Sequence, residues 1–181
     1  MFNKILVALD HGDTCSPLFQ KSLKLAQATG AELLLLSVLT PDGGGYLPLP
    51  DNSGLTSFNL GMQESLWDTY LKSYREYELA ATERLRNFVD RATKAGVRSD
   101  FKQINTDVGR GICAQAKAWS ADLIMVGSHR RKGLSEMLLG SVSNYVMHHA
   151  PCSVLVVHES QAAKNDGRGA EATAEATHSQ P

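Results

Sequence analysis

Long apolar runs are missing from this chain. Its strongest apolar block, "ELLLLSVL", falls far short of the roughly 20 residues that cross a bilayer, so no membrane segment is expected. The amino terminus, "MFNKILVALDHGD", carries only the short run Ile5–Leu9 before Asp10. That is too little for the apolar core of a signal peptide, and no small-residue cleavage site follows. The expectation is a soluble, cytoplasmic protein. Charge of one sign is also missing: 18 Lys and Arg stand against 19 Asp and Glu, a net charge of −1. No overall field draws the chain to nucleic acid or to a membrane surface, although a local basic patch is not excluded. Cysteine is scarce. Cys15, Cys113 and Cys152 are far apart and form no C-x-x-C, which excludes a disulfide framework and a zinc cluster. They read as buried or half-buried thiols, with Cys15, in a loop, the one open to redox chemistry.

Several catalytic motifs are absent as well. There is no G-x-x-x-x-G-K-[ST], no G-x-G-x-x-G after the first strand and no G-x-S-x-G elbow. The H-x-G-H of nucleotidyl transferases is missing. A phospho-receiver needs a lysine after its fifth strand, where this chain has His158.

What is present is the composition of an ordinary globular domain: 181 residues, 43% apolar and 20% charged. Four blocks are apolar without alternation: "KILVAL", "ELLLLSV", "DLIMVG" and "CSVLVV". Such blocks suit parallel strands covered by helices on both sides. "VRSDFKQI", Val97 to Ile104, alternates and suits an edge strand. Helical patterns lie between them. Ser16 and Pro17 read as an N-cap and first helical residue, Phe19, Leu23 and Ala26 as one stripe, and Gly30 as its end. Leu66, Tyr70, Tyr74, Tyr77, Ala81, Leu85, Phe88 and Ala92 recur at helical spacing from about Gln63 to Ala95, and Gly96 closes them. A helix of that length spans about 50 Å; it would protrude, bend, meet a partner or break near Tyr70. Gly111–Trp119 and Ser141–His149 are shorter helices, the second stopped by Pro151. Alternating strands and helices with right-handed crossovers predict an α/β fold: a doubly wound five-stranded parallel sheet, strand order 3-2-1-4-5, helices on both faces. Residues 41–61 read as a long flexible loop and residues 159–181 as a disordered tail.

Ligands of such sheets bind beyond the carboxyl ends of the strands, where the order switches between the first and fourth. Asp10 follows strand one, and Gly127 closes strand four. Gly140 and Ser141 stand where the last helix begins, and free N–H groups there favour an anion. The hydroxyls of Ser141 and Ser143 would add hydrogen bonds. Each feature has a plainer reading: Gly140 as a turn, Ser141 as an N-cap, Asp10 as a loop cap, and the basic run His129–Lys132 as solvated charge. His148 and His149 are adjacent, face different sides of a helix and make a poor metal pair.

Taken together, "GSHRRKGLSEMLLGSVSNYVMHHAPCSVLVV" resembles the C-terminal signature of the universal stress protein family. "KILVALD" and "ICAQAKAWSADLIMVGS" extend the resemblance, which covers about residues 2–158 apart from the 41–61 loop. It implies one universal stress protein domain over 1–158, taking part in a stress response. The pattern of the nucleotide-binding members is G-x-x-G, nine residues, then G-[ST]. It falls here on Gly127, Arg130, Gly140 and Ser141, with Arg130 in place of the second glycine. The resemblance implies that Asp10 meets the adenine end, that Val38 offers backbone groups to the base, and that Gly127 lies under the ribose and α-phosphate. Gly140, Ser141, Val142 and Ser143 would cradle the phosphates. Arg130, with His129 beside it, either grips a phosphate or closes the pocket. The implied ligand is ATP or AMP, with magnesium accompanying ATP and cyclic AMP as an alternative. The expectation is a binding and signalling module with slow hydrolysis at most, and no catalytic or metal-ligating residue is assigned. A slow ATP hydrolase or adenylyl-transfer enzyme is one alternative. A scaffold dimer that ignores nucleotides is the other. Relatives dimerise through the last strand, and "SVLVV", Ser153, Val154, Leu155, Val156 and Val157, is a flat uncharged edge of the kind that pairs; a homodimer is therefore expected.

Overall fold

Each apolar block becomes a strand of one parallel sheet. The structure is a computed structural model and describes residues 1–10, 15–40, 60–128 and 140–158. In chain order the elements are β1 (Lys4–Leu9), α1 (Cys15–Thr29), β2 (Glu32–Leu39), α2 (Leu60–Lys94), β3 (Ser99–Asn105), α3 (Val108–Trp119), β4 (Leu123–Ser128), α4 (Ser141–His149) and β5 (Ser153–His158). The sheet runs β3-β2-β1-β4-β5 with every pairing parallel, as the sequence predicts. Strand alternation splits the interior in two. Ile5, Val7, Leu33, Leu35 and Met125 face α1 and α2. Leu6, Leu34, Leu36, Ile124 and Val126 face α3 and α4. Burial on both faces is why these strands carry no polar alternation, and each fully buried Leu, Ile or Val is worth about 1.5–3 kcal/mol relative to exposure. On the first face Phe19 stacks on Phe88 with ring centroids 4.4 Å apart.

The two edges differ. β3 exposes Asp100 and carries Lys102, so charge guards that edge. β5, "SVLVVH", has no Lys, Arg, Asp or Glu, and Leu155 is 42% exposed.

α2 is one unbroken helix of 35 residues, about 50 Å long, so the break near Tyr70 does not occur. From Ala81 onward its inner face is buried through Leu85, Phe88 and Ala92. Before that Tyr70 is buried, but Leu66 and Leu71 are 47% and 44% exposed. Tyr74 is tied there to the end of β3, where Asn105 Nδ2 donates to its hydroxyl at 2.9 Å.

Three helix and strand limits differ from expectation. α1 begins at Cys15, which puts Ser16 inside the helix rather than at its cap. Pro17 is still tolerated, because the first-turn N–H groups have no intrahelical acceptor. α3 begins at Val108 rather than Gly111, capped by Asp107, whose carboxylate accepts from the Arg110 amide at 2.9 Å. Val97 is buried and its amide bonds to the Ala92 carbonyl, so it closes α2 and β3 starts later. Gly96, at φ 77°, supplies the left-handed residue of that closure. Residues 159–181 and 41–59 lie outside the described residues, while 60 and 61, expected to end the loop, already belong to α2. Among the described residues no helix is long and apolar enough to cross a membrane.

Candidate functional site: a notch at the carboxyl end of β1

β1 is the central strand and stops early. Its pairing with β2 ends at Leu9↔Ser37 and with β4 at Ala8↔Val126. Val38 and Leu39 of β2, and Gly127 and Ser128 of β4, run on past it. Among the described residues the result is a notch at the point where strand order reverses, and half-buried Asp10 stands at its floor. Backbone alternation tells which groups face the notch. Glu32 donates its amide to Asn3 on the β1 side, and Leu33 donates to Arg98 on the β3 side. Even-numbered residues of β2 therefore turn their polar groups toward β1, and Val38 does so where that strand ends.

The start of α4 closes the same end of the sheet. Gly140 is its N-cap, at φ −59° and ψ 157°, and among the described residues no side chain caps the helix. No acidic residue lies in its first turn. α3 is the contrast: Asp107 already accepts from the first turn. Among the described residues the amides at the head of α4 keep their hydrogen-bonding capacity, and they carry the positive end of the helix dipole, which is the chemistry of an anion site. Ser141 is exposed and Val142 half-buried. Ser143 is buried and its hydroxyl donates to the Gly140 carbonyl at 3.0 Å. Its proton is thus engaged within the helix turn, and only its lone pairs face other uses.

The glycines sort into two groups by what surrounds them. A Cβ on Gly109 would lie 2.6 Å from Tyr145 Cδ1, and one on Gly111 would lie 2.6 Å from Thr106 Cγ2. These two exist so that α3 can pack closely. A Cβ on Gly127 would meet only Leu18 Cδ2, at 3.9 Å, and one on Gly140 only Ser143 Oγ, at 3.8 Å, among the described residues. Neither has a positive φ. Among the described residues packing does not demand glycine at either place; what glycine provides there is bare main chain.

The strand ends also bring together a pair that sequence reasoning missed. Ser128 Oγ and His158 Nδ1 are 2.6 Å apart, across the last register pair of β4 and β5. Lys21 Nζ donates to the His158 carbonyl at 3.1 Å. His129 and Arg130 lie outside the described residues. His149 is turned away from the notch: its ring stacks on Tyr145 at 4.0 Å and Nδ1 bonds to the Tyr145 carbonyl. Among the described residues no group of three or more His, Cys, Asp or Glu side chains is placed to hold a metal. Burial pushes the thiols of Cys113 and Cys152 up from their ordinary values, which favours the unreactive protonated form. The side chain of Cys15 lies outside what is described.

Comparison with known proteins gives the family and the fold. The model of the universal stress protein family matches residues 1–158. Universal stress protein Sll1388 of Synechocystis is 33% identical over 158 residues, covering 86% of this chain and 97% of its own length. Universal stress protein YxiE of Bacillus subtilis is 32% identical, covering 87% and 99%. Among solved structures, hypothetical protein MJ0577 superposes with a TM-score of 0.67 at 20% identity, covering 89% of this chain and 99% of its own. An Arabidopsis thaliana family protein with AMP bound has a TM-score of 0.59 at 20% identity, covering 88% and 94%. A universal stress protein in complex with cAMP has a TM-score of 0.54 at 21% identity, covering 88% and 98%.

Proposed function

This chain belongs to the universal stress protein family, and we propose that within it the protein is an adenine-nucleotide-binding signalling module with little or no catalysis. The observation that carries the reading is the head of α4: an N-cap without Cβ and, among the described residues, a helix N-terminus without side-chain cap or acid, at the carboxyl end of the sheet. The AMP and cAMP held by two structural neighbours support the ligand class. In this reading Asp10 meets the adenine end and Val38 offers backbone groups to the base. Gly127 passes beneath the ribose and α-phosphate, and Gly140, Ser141, Val142 and Ser143 receive the phosphates. Arg130 and His129 add positive charge to the phosphate tail. ATP or AMP is the ligand, with magnesium accompanying ATP, and the setting is a cytoplasmic stress response. Slow hydrolysis at most is expected, because a phosphoryl transfer needs an oriented water, a base and a metal-held γ-phosphate, and no motif supplies them.

A homodimer through Ser153, Val154, Leu155, Val156 and Val157 belongs to the same proposal. The contrast between the charged β3 edge and the uncharged β5 edge supports it. The direct test is to purify the chain, extract it with acid and identify the released nucleotide by mass. An adenine nucleotide at near-stoichiometric amount is expected. A nucleotide-free protein that also fails to bind millimolar ATP or AMP overturns the reading.

A further inference from the structure

We propose that one water molecule, held between Ser37, Asp10 and Arg84, sets the Asp10 carboxylate in place for the base end of the nucleotide. Ser37 and Arg84 are then positioning residues of the site; this rests on the reading of Asp10 as the group that meets adenine. Ser37 is the one polar residue inside the apolar run of β2, and it is 3% exposed. Strand alternation points it toward α2, alongside Leu33 and Leu35. Its hydroxyl has no hydrogen-bond partner among the described residues. A buried hydroxyl in that state is costly, and native interiors rarely keep one. It borders a cavity of about 10 Å³ that is lined also by Leu9, Asp10, Ala81, Arg84, Leu85 and Phe88.

The volume suits one water and is far too small for a base or a phosphate, and three polar groups fall within the two to four partners that a buried water takes. The chemistry also balances: the guanidinium donates, the carboxylate accepts, and the hydroxyl does either. Asp10 is the residue directly after β1, and Ser37 the one directly before Val38. The water therefore ties both base-facing positions to the middle of α2. Recognition of the base is set from that helix and not only from the strand ends.

The test compares AMP, IMP and ribose 5-phosphate on the full chain by calorimetry. A carboxylate accepts a hydrogen bond from the 6-amino group of AMP and repels the 6-oxo group of IMP. Ser37→Val puts a methyl into the volume of the water. It is expected to weaken AMP about tenfold, the scale of one well-made hydrogen bond, and to leave ribose 5-phosphate unchanged. The preference for AMP over IMP should shrink, and the melting temperature should not fall. Ser37→Ala, which keeps room for the water, should lose less. Arg84→Met should shift the base preference in the same direction as Ser37→Val. A Ser37→Val protein with the full AMP-over-IMP preference of the wild type overturns the proposal. A wild-type protein that binds none of the three sinks the nucleotide reading, and the positioning role of Ser37 falls with it. The water itself is decided separately by a high-resolution crystal structure: density touching Ser37 Oγ and Asp10 supports it, and a cavity closed by protein side chains overturns it.

Discussion

Replacing Gly140 with aspartate should stabilise the fold and abolish nucleotide binding together, a combination that ordinary damage does not produce. The backbone at Gly140, φ −59° and ψ 157°, is open to any residue and typical of an N-cap, and an added Cβ meets nothing closer than Ser143 Oγ at 3.8 Å. The new carboxylate would accept from the amide of Val142 or Ser143, in the geometry that Asp107 already uses on Arg110. Aspartate improves on glycine at a cap by a few tenths of a kcal/mol, and its charge at the helix head adds about 0.3–1 kcal/mol. For a domain of this size each kcal/mol moves the midpoint by roughly 2–4 °C, so a rise of about 1–5 °C is expected.

Binding should move the other way. The carboxylate occupies the amides that the phosphates need, and two unit charges about 4 Å apart repel by roughly 1–4 kcal/mol between the limits of bulk water and a protein surface. Affinity should therefore fall by about tenfold to a thousandfold. Thermal melts with and without nucleotide, together with calorimetric titration of ATP and AMP, read both effects. Asp107→Ala is the control. It removes the cap of α3, costs about 1 kcal/mol and leaves the nucleotide affinity where it was. If Gly140→Asp melts lower than the wild type, or binds as well, then the head of α4 is not an open anion site.

The remaining predictions concern packing, assembly and pH. Gly109→Ala places a methyl 2.6 Å from Tyr145 Cδ1, so α3 and α4 must move apart; a loss of about 1–3 kcal/mol should appear as a lower urea midpoint. Leu155→Lys charges the exposed β5 edge, whereas Val156 packs against the α3 and α4 core and would confound the result. Sedimentation should show monomers for Leu155→Lys, and an unchanged dimer refutes the β5 interface. Burial is the first cause raising the pKa values of Cys113, Cys152, Tyr74 and Tyr77. The unfolded chain then ionises before the folded one, so stability should be intact near neutrality and fall as pH rises above ~9. Denaturant midpoints measured between pH 7 and 10.5 check the sign; a midpoint that rises with pH contradicts it.

The fold is legible in the sequence because its strongest signals are local. Strands buried on both faces show as apolar blocks, and their alternation with helical stripes allows few sheet orders. The stripe from Leu66 to Ala92 is equally plain, but periodicity alone does not say whether a helix outrunning its sheet will break. What escapes the sequence depends on register or on close approach. Gly109 and Gly111 look like helix breakers, which suggests a late start for α3. In space they are what lets α3 lie against Tyr145, Thr106 and Ile104, and tertiary packing outweighs about 1 kcal/mol of poor propensity at each. Ser128 and His158 stand 30 residues apart and meet only through the β4–β5 register. Ser37 sits in an apolar run whose pattern gives no hint that it lines a cavity together with Arg84 from another element.

The same reasoning explains why the site has two readings in the sequence and is sharper in space. Gly109 and Gly140 each lie at the head of a helix, and as letters they are equivalent. Around Gly109 the room of a Cβ is already taken by an aromatic ring; around Gly140 that room is free among the described residues. α3 spends an aspartate on its own amides, and among the described residues α4 spends nothing. A helix head costs stability when its amides are left uncapped, and Ser, Asp or Asn at position 140 would recover some of it. Glycine there forgoes that gain without any demand from φ or, among the described residues, from packing. The residue makes physical sense if the missing acceptor arrives from outside the chain, as an anion bound in the notch beside β1.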